Sequence, residues 1–247
     1  MPDRRYFRIM NVLYRWPEGM VIPGPDVSSD LSSLDLKPCN GEVSFLFYNN
    51  FQAVCSLVGK WKIFQKQGGH RFSTDDVTTA WVAINRILEM QQSGINVTHH
   101  LDMGCGLGSV LMMVGWKFSH LVSTGIEAQS ISCGLARRSI RYNGASDRIT
   151  VYNGDLRDVS VLPTQQKFEI VTGTPPYFKS GEGALSAKVD QKACLFEFRG
   201  GVEDYIEAAS RYLTDDGHFV VVESALGKKR FDSAAVVHSM IMRICLL

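Results

Sequence analysis

Residues 101–109 read Leu101-Asp102-Met103-Gly104-Cys105-Gly106-Leu107-Gly108-Ser109, and this stretch decides the fold. Its start has strand character, and its three glycines at spacing two make a turn. Val110, Leu111 and Val114 then continue on a helical period. Glycines here remove the Cβ atoms that would block a tight bend and hold an adenosine-like ligand off the backbone. The spacing Gly-x-Gly-x-Gly is tighter than the Gly-x-Gly-x-x-Gly of dinucleotide folds, and Asp102 precedes it.

Working outward, residues 120–126 (HLVSTGI) read as a short buried strand ending at Glu127, where an acidic side chain can take both hydroxyls of a ribose. A helix over about 129–142 follows, with Ile131 and Leu135 on one face and Asn143-Gly144 as its stop. A third strand over 149–152 leads into Asn153-Gly154-Asp155. This order resembles the class I S-adenosylmethionine-dependent methyltransferases. The resemblance implies an α/β fold with a doubly wound, mostly parallel Rossmann-like sheet and S-adenosyl-L-methionine as cofactor. It implies that Gly104, Gly106 and Gly108 form the cofactor turn. By it, Asp102 lies near the methionine part, Glu127 holds the ribose and Asp155 meets the adenine amino group.

Residues 168–178 (FEIVTGTPPYF) carry the acceptor side. A fourth buried strand over 168–172 cannot run on through Gly173-Thr174-Pro175-Pro176-Tyr177, because two prolines remove consecutive N–H donors. A rigid loop results at a strand's carboxyl end, where open α/β sheets place ligands. It is similar to the (Asn/Asp/Ser)-Pro-Pro-(Tyr/Phe/Trp) motif of methyltransferases acting on amino groups conjugated to a π-system: N6 of adenine in DNA or RNA, or the amide of glutamine. By that resemblance Thr174, Pro175, Pro176 and Tyr177 are the catalytic loop, with Thr174 also beside the cofactor and Tyr177 and Phe178 against the flat acceptor. Thr174 departs from the usual Asn or Asp: a hydroxyl is shorter, and it donates as well as accepts.

Two further segments narrow the likeness. His70-Arg71-Phe72-Ser73-Thr74-Asp75 precedes an amphipathic helix carrying Val77, Ala80, Trp81, Ile84, Ile87 and Leu88, with Ser, Thr and Asp as candidate caps. Phe198-Arg199-Gly200-Gly201-Val202 opens another helix. Together with TPPYF these resemble the bacterial-type tRNA adenine N6-methyltransferases that modify the purine beside the anticodon. That resemblance spans about residues 61–223 and implies Phe72, Thr74 and Asp75 over the methionine end of the cofactor, and Arg199 near the acceptor pocket. The bland reading of Thr74 and Asp75 is helix capping, which is compatible.

The 247 residues suffice for one α/β core, with 45% hydrophobic and 21% charged content. Residues 1–60 are expected to form an extension or cap and 61–247 the methyltransferase domain. The net charge of +1 gives no global nucleic-acid signature, so any RNA contact must be local. Candidate patches are Arg4-Arg5 with Arg8, Arg137-Arg138 with Arg141 (read as a solvated helix face), and Lys228-Lys229-Arg230. Six cysteines form no CxxC pair and no His/Cys cluster at metal spacing, so buried free thiols and no metal are expected, with Cys105 a small filler. His99-His100 reads as a surface pair. Without an apolar run of membrane-spanning length or a signal-peptide core, a cytoplasmic location and no membrane partner are expected. Oligomeric state has no sequence signature.

Residues 17–40 read as loop and 42–48 and 61–65 as strands, with Phe45, Phe47, Tyr48 and Phe51 read as core in preference to a stacking surface for unpaired bases. Near the end, 218–223 reads as a fifth strand, 229–240 as a helix and 242–247 as the start of a sixth strand, leaving strands six and seven incomplete. The expected activity is methyl transfer to the N6 amine of an adenine in structured RNA, foremost tRNA. The alternatives are a glutamine-amide protein methyltransferase and a non-catalytic cofactor-binding subunit.

Overall fold

A computed structural model describes residues 6–9, 12–15, 52–66, 71–162, 166–176, 200–222 and 228–237. Two antiparallel hairpins come first: β1 (Tyr6–Ile9) with β2 (Val12–Arg15), and β3 (Gln52–Val58) with β4 (Trp61–Lys66). Then follow α1 (Thr74–Gln92), β5 (His99–Met103), α2 (Ser109–Lys117), β6 (Val122–Glu127), α3 (Ser130–Tyr142), β7 (Ile149–Asn153) and β8 (Phe168–Gly173). The described chain closes with α4 (Val202–Tyr212), β9 (Leu213–Val221) and α5 (Lys228–Val237). Strands β5 to β9 form one all-parallel sheet in the order β7-β6-β5-β8-β9.

The order reverses between β5 and β8, the switch point at which parallel sheets bind ligands beyond their strand ends. The register keeps those ends level: Met103 pairs with Ile126 and with Gly173, Glu127 with Asn153, and Gly173 with Val221. Central β5 is buried on both faces, as a parallel strand covered by helices must be. Helix α1 buries Val77, Ala80, Ile84 and Ile87 of the stripe that its sequence period predicts, whereas Trp81 is half-buried and Leu88 is 36% exposed. Helix α2 is buried from Ser109 through Gly115. Helix α3 ends at Asn143 with Gly144 at φ +68, as the Asn-Gly pair predicts.

The β3–β4 hairpin, whose turn contains position 60, closes over α3. Ile63 and Phe64 are fully buried, each contributing about 1.5–3 kcal/mol through apolar burial. The Phe64 N–H donates to Ser139 Oγ (2.9 Å), and Asn143 bridges Lys62 through its N–H and carbonyl.

Four expectations are corrected. His100 is no surface residue: it faces the interior of β5, fully buried, with Nε2 2.9 Å from Thr172 Oγ1. Arg138 is not on a solvated face either. It is 1% exposed, its guanidinium 4.5 Å above the Phe64 ring, because the hairpin covers that side of α3. Arg137 reaches instead to the Val151 carbonyl on edge strand β7 (2.8–2.9 Å). Ile131 is 39% exposed while Leu135 is buried, so the two do not share the core face. The fifth strand begins at Leu213, directly after α4, and ends at Val221.

In the third basic patch, Arg230 is turned onto Glu203 of α4 by two bonds of 2.6–2.7 Å. The expectations for residues 17–40, 42–48 and 242–247, for the aromatic cluster 45–51 and for Arg4 and Arg5 fall outside the described residues.

Candidate functional site

The ends of β5, β6, β7 and β8 border an open cleft. The glycine turn is its floor. Gly104, Gly106 and Gly108 have φ of +62, +55 and +80, the left-handed region that glycine alone enters freely. Each has a separate reason to lack a side chain. A Cβ on Gly104 would fall on Tyr205 Oη, and one on Gly108 would press Ala136 at 3.3 Å. Around Gly106 nothing lies within 4 Å, so its missing Cβ leaves open space in the cleft for a ligand to approach the backbone.

Glu127 locks this turn to β6. Its carboxylate, 5% exposed, accepts from Gly106 N–H (2.9 Å) and Gln129 N–H (2.6 Å). Asp155, past the end of β7, lines the same cleft and is gripped by Arg157 through Nε (2.9 Å) and Nη2 (2.6 Å).

Asp102 sits behind the turn. It is 2% exposed, accepts from Leu111 N–H (3.1 Å) and Thr172 O–H (2.7 Å), and ties the first turn of α2 to β5 and β8. Burial lifts its pKa to about 7; the Thr172 bond opposes the rise and the charge of Asp76 adds to it. Because Thr172 donates to Asp102, its oxygen accepts from the Nε2–H of His100. Burial lowers the pKa of His100 to about 3 and keeps the ring neutral. Cys105 is buried in the turn and its thiol is pushed well above the ordinary range, chiefly by burial, so it is a filler and not a nucleophile.

Of the residues expected at the site, Phe72, Gly104, Gly106, Glu127, Asp155, Thr174 and Pro176 line the cleft. Thr74, Asp75, Asp102, Gly108 and Pro175 do not. Thr74 opens α1, and the Asp75 carbonyl accepts from Thr79 one turn on. Tyr177, Phe178 and Arg199 lie outside the described residues.

The sequence reading missed Asp76, Ser109 and Tyr205. Asp76 lines the cleft one residue beyond the expected pair. Its carboxylate takes Ser73 N–H (2.7 Å), Ser73 O–H (3.1 Å) and Ser109 O–H (2.7 Å), clamping the N-termini of α1 and α2 together. An acidic residue three after Ser73 is a capping-box position, the one signal that could have marked it. Tyr205 fills the space left by Gly104 and Gly173; nothing local in the sequence signals that.

Among the described lining residues, Asp76, Glu127 and Asp155 are carboxylates and none is Lys, Arg or His. Such a wall repels phosphates and favours a cationic ligand. The methyltransferase small domain family matches residues 63–231 of this chain. The chain belongs to that family. Its cofactor is S-adenosyl-L-methionine, which has no phosphate and carries a net positive charge, in agreement with the carboxylate wall and the space at Gly106.

Curated relatives include a tRNA1(Val) (adenine(37)-N6)-methyltransferase of Porphyromonas gingivalis, 36% identical over 127 residues. That match spans 50% of this chain and 49% of the relative. A protein of the same name from Vibrio parahaemolyticus is 28% identical over 134 residues, spanning 54% of this chain and 51% of the relative. The chain thus spans about half the length of the curated relatives it matches. Among solved structures, a precorrin-6y C5,15-methyltransferase of Geobacter metallireducens is 14% identical with a TM-score of 0.46, covering 67% of this chain and 73% of that one. Among the described residues no cluster of His, Cys, Asp or Glu is placed to hold a metal, and no helix is long and apolar enough to cross a membrane.

Proposed function

We propose that this chain methylates the exocyclic N6 amine of an adenine in structured RNA, foremost tRNA, in the cytoplasm. One observation carries the reading. Met103 and Gly173 are paired neighbours at the ends of β5 and β8, so Thr174 and Pro176 line the same cleft as the glycine turn. The printed names of the curated relatives support the same substrate.

The residues divide the work. Glu127 would hold the ribose and Asp155 the adenine amino group of the cofactor, since both carboxylates line the cleft. Asp102 would serve from behind the turn, keeping α2 and β5 in register. When bound, the cofactor supplies an electrophilic methyl on its sulfonium. The Thr174 hydroxyl and a neighbouring backbone carbonyl would accept the two hydrogens of the target amine, so that its lone pair leaves conjugation with the ring. Tyr177 would stack on the base, worth about 1–3 kcal/mol, and the base must be unpaired or flipped to enter.

The test is incubation of the purified chain with methyl-labelled S-adenosylmethionine and bulk tRNA, with a protein extract run separately, followed by digestion of the RNA to nucleosides. Label co-migrating with N6-methyladenosine is the expected result. Label in protein would replace the adenine by a glutamine amide as acceptor, and label in neither would leave a cofactor-binding subunit.

A further inference from the structure

The chain is nearly neutral as a whole, with 26 Lys and Arg against 25 Asp and Glu, yet the corner where α2, α3 and the β3–β4 turn meet is not. In segments 52–66, 109–117 and 130–148 the sole carboxylate is Asp147. The tertiary structure gathers the cations of these segments. Lys60 is exposed in the β3–β4 turn and Lys62 half-buried beside it; Lys117 ends α2 and Arg141 lies in the last turn of α3, both exposed.

Arg148 joins the three elements. Its guanidinium lies 5.5 Å from the Trp61 ring centroid and donates to the Gly115 carbonyl (2.7 Å). The β3–β4 turn rests on α2, because Gly59 stands against the Trp116 indole. It is held to α3 by Asn143 and by the Phe64–Tyr142 edge contact (5.6 Å). Lys117 and Arg141 complement helix C-termini. Lys62, whose ammonium donates to Ser56 Oγ (2.9 Å), lies beside the C-cap of α3, whereas Lys60 is exposed in the hairpin turn and belongs to no helix end, so the patch is larger than capping requires.

This patch lies at the C-terminal ends of α2 and α3, whereas the cleft lies at their N-terminal ends. The 13 residues of α3, at about 1.5 Å each, set the two about 20 Å apart. We propose that this face docks the phosphate backbone of the RNA whose target base enters the cleft, so that the enzyme grips a folded RNA at two points about 20 Å apart. The inference rests on the RNA reading above. Phosphates are the fitting partner because the cations come from separate elements and spread along a surface, with the half-buried Trp61 and the 41% exposed Tyr142 among them.

The experiment measures binding of a labelled RNA stem-loop of anticodon-arm size to the full chain at several salt concentrations, beside a loop-only oligonucleotide too short to span about 20 Å. The variants are Lys60→Glu/Arg141→Glu and, should that pair fail to fold, Lys60→Gln/Lys117→Gln; folding is checked by cofactor calorimetry. The expected result is stem-loop binding weakened about tenfold or more with a salt slope reduced by about two, with loop-only binding and cofactor affinity unchanged. A wild type that binds and labels RNA, with variants that bind the stem-loop equally well, overturns this inference alone and leaves the face to an acidic protein. A wild type that neither binds nor labels RNA overturns the parent reading and this one with it.

Discussion

Replacing Asp102 by Asn tests the buried His100–Thr172–Asp102 chain through stability, independently of any substrate. The variant is nearly isosteric. Its amide oxygen accepts from Leu111 N–H, and its amide nitrogen donates to Thr172 Oγ1, whose own hydrogen turns to the Leu101 carbonyl at 3.4 Å. What the change removes is a titration. The carboxyl pKa is raised from 3.8 to about 7 in the folded state, chiefly by burial. An aspartate with a raised folded pKa binds its proton more tightly when folded, so ionisation costs stability. That cost is absent below about pH 4 and complete above about pH 7; at 1.36 kcal/mol per unit it approaches about 4 kcal/mol.

His100 acts in the opposite sense. Its folded pKa is lowered to about 3, so its contribution is present above the unfolded value near 6.5 and is lost as pH falls below it. In the wild type the two trends offset each other between about pH 4 and 6.5; in Asp102→Asn the histidine trend stands alone. Urea unfolding of both proteins from pH 4.5 to 8.5 should show the free-energy difference, variant minus wild type, rising by about 2–4 kcal/mol with pH and levelling above about pH 7. A difference constant within about 0.5 kcal/mol, or one that falls with pH, would refute a raised pKa at the buried Asp102.

Glu127→Gln must turn an amide nitrogen toward one of two N–H donors, Gly106 or Gln129; calorimetry should find S-adenosylmethionine bound about 1–3 kcal/mol more weakly, and unchanged affinity would remove Glu127 from the cofactor site. Gly104→Ala puts a methyl onto Tyr205 Oη, so its thermal midpoint should drop, and the second change Tyr205→Phe should restore part of the loss; no rescue would place the cost in the backbone at φ +62 alone. In the acceptor loop, Thr174→Val keeps shape and deletes the acceptor, and should lower kcat about tenfold or more. Tyr177→Ala should act mainly on KM, since stacking favours ground and transition states alike; steady-state rates on tRNA that equal wild type for both would make Thr174–Tyr177 a structural turn.

The alternation of strand, glycine turn, helix and strand over residues 101–153 was legible because each boundary is a local event. Glycines at 104, 106 and 108 allow positive φ, Asn143-Gly144 stops a helix, and two prolines forbid continued pairing past Gly173. From the same order came the placement of Gly106, Glu127, Asp155 and Thr174 about one cleft, since successive parallel strands must end at the same rim. Nothing local told that Arg138 is buried while Arg141 is exposed, or that His100 faces inward. Those outcomes depend on the β3–β4 hairpin covering α3 and on helices covering both faces of β5, contacts between residues about 70–80 positions apart. Asp76 was likewise readable as a cap and became a wall of the site only when Ser109 arrived opposite it. Local backbone chemistry thus determined the elements and their order, whereas the solvation and pairing of each charged side chain were decided by what the rest of the chain laid over it. The free energy of a charge depends on its surroundings, and sequence neighbours supply only a small part of those.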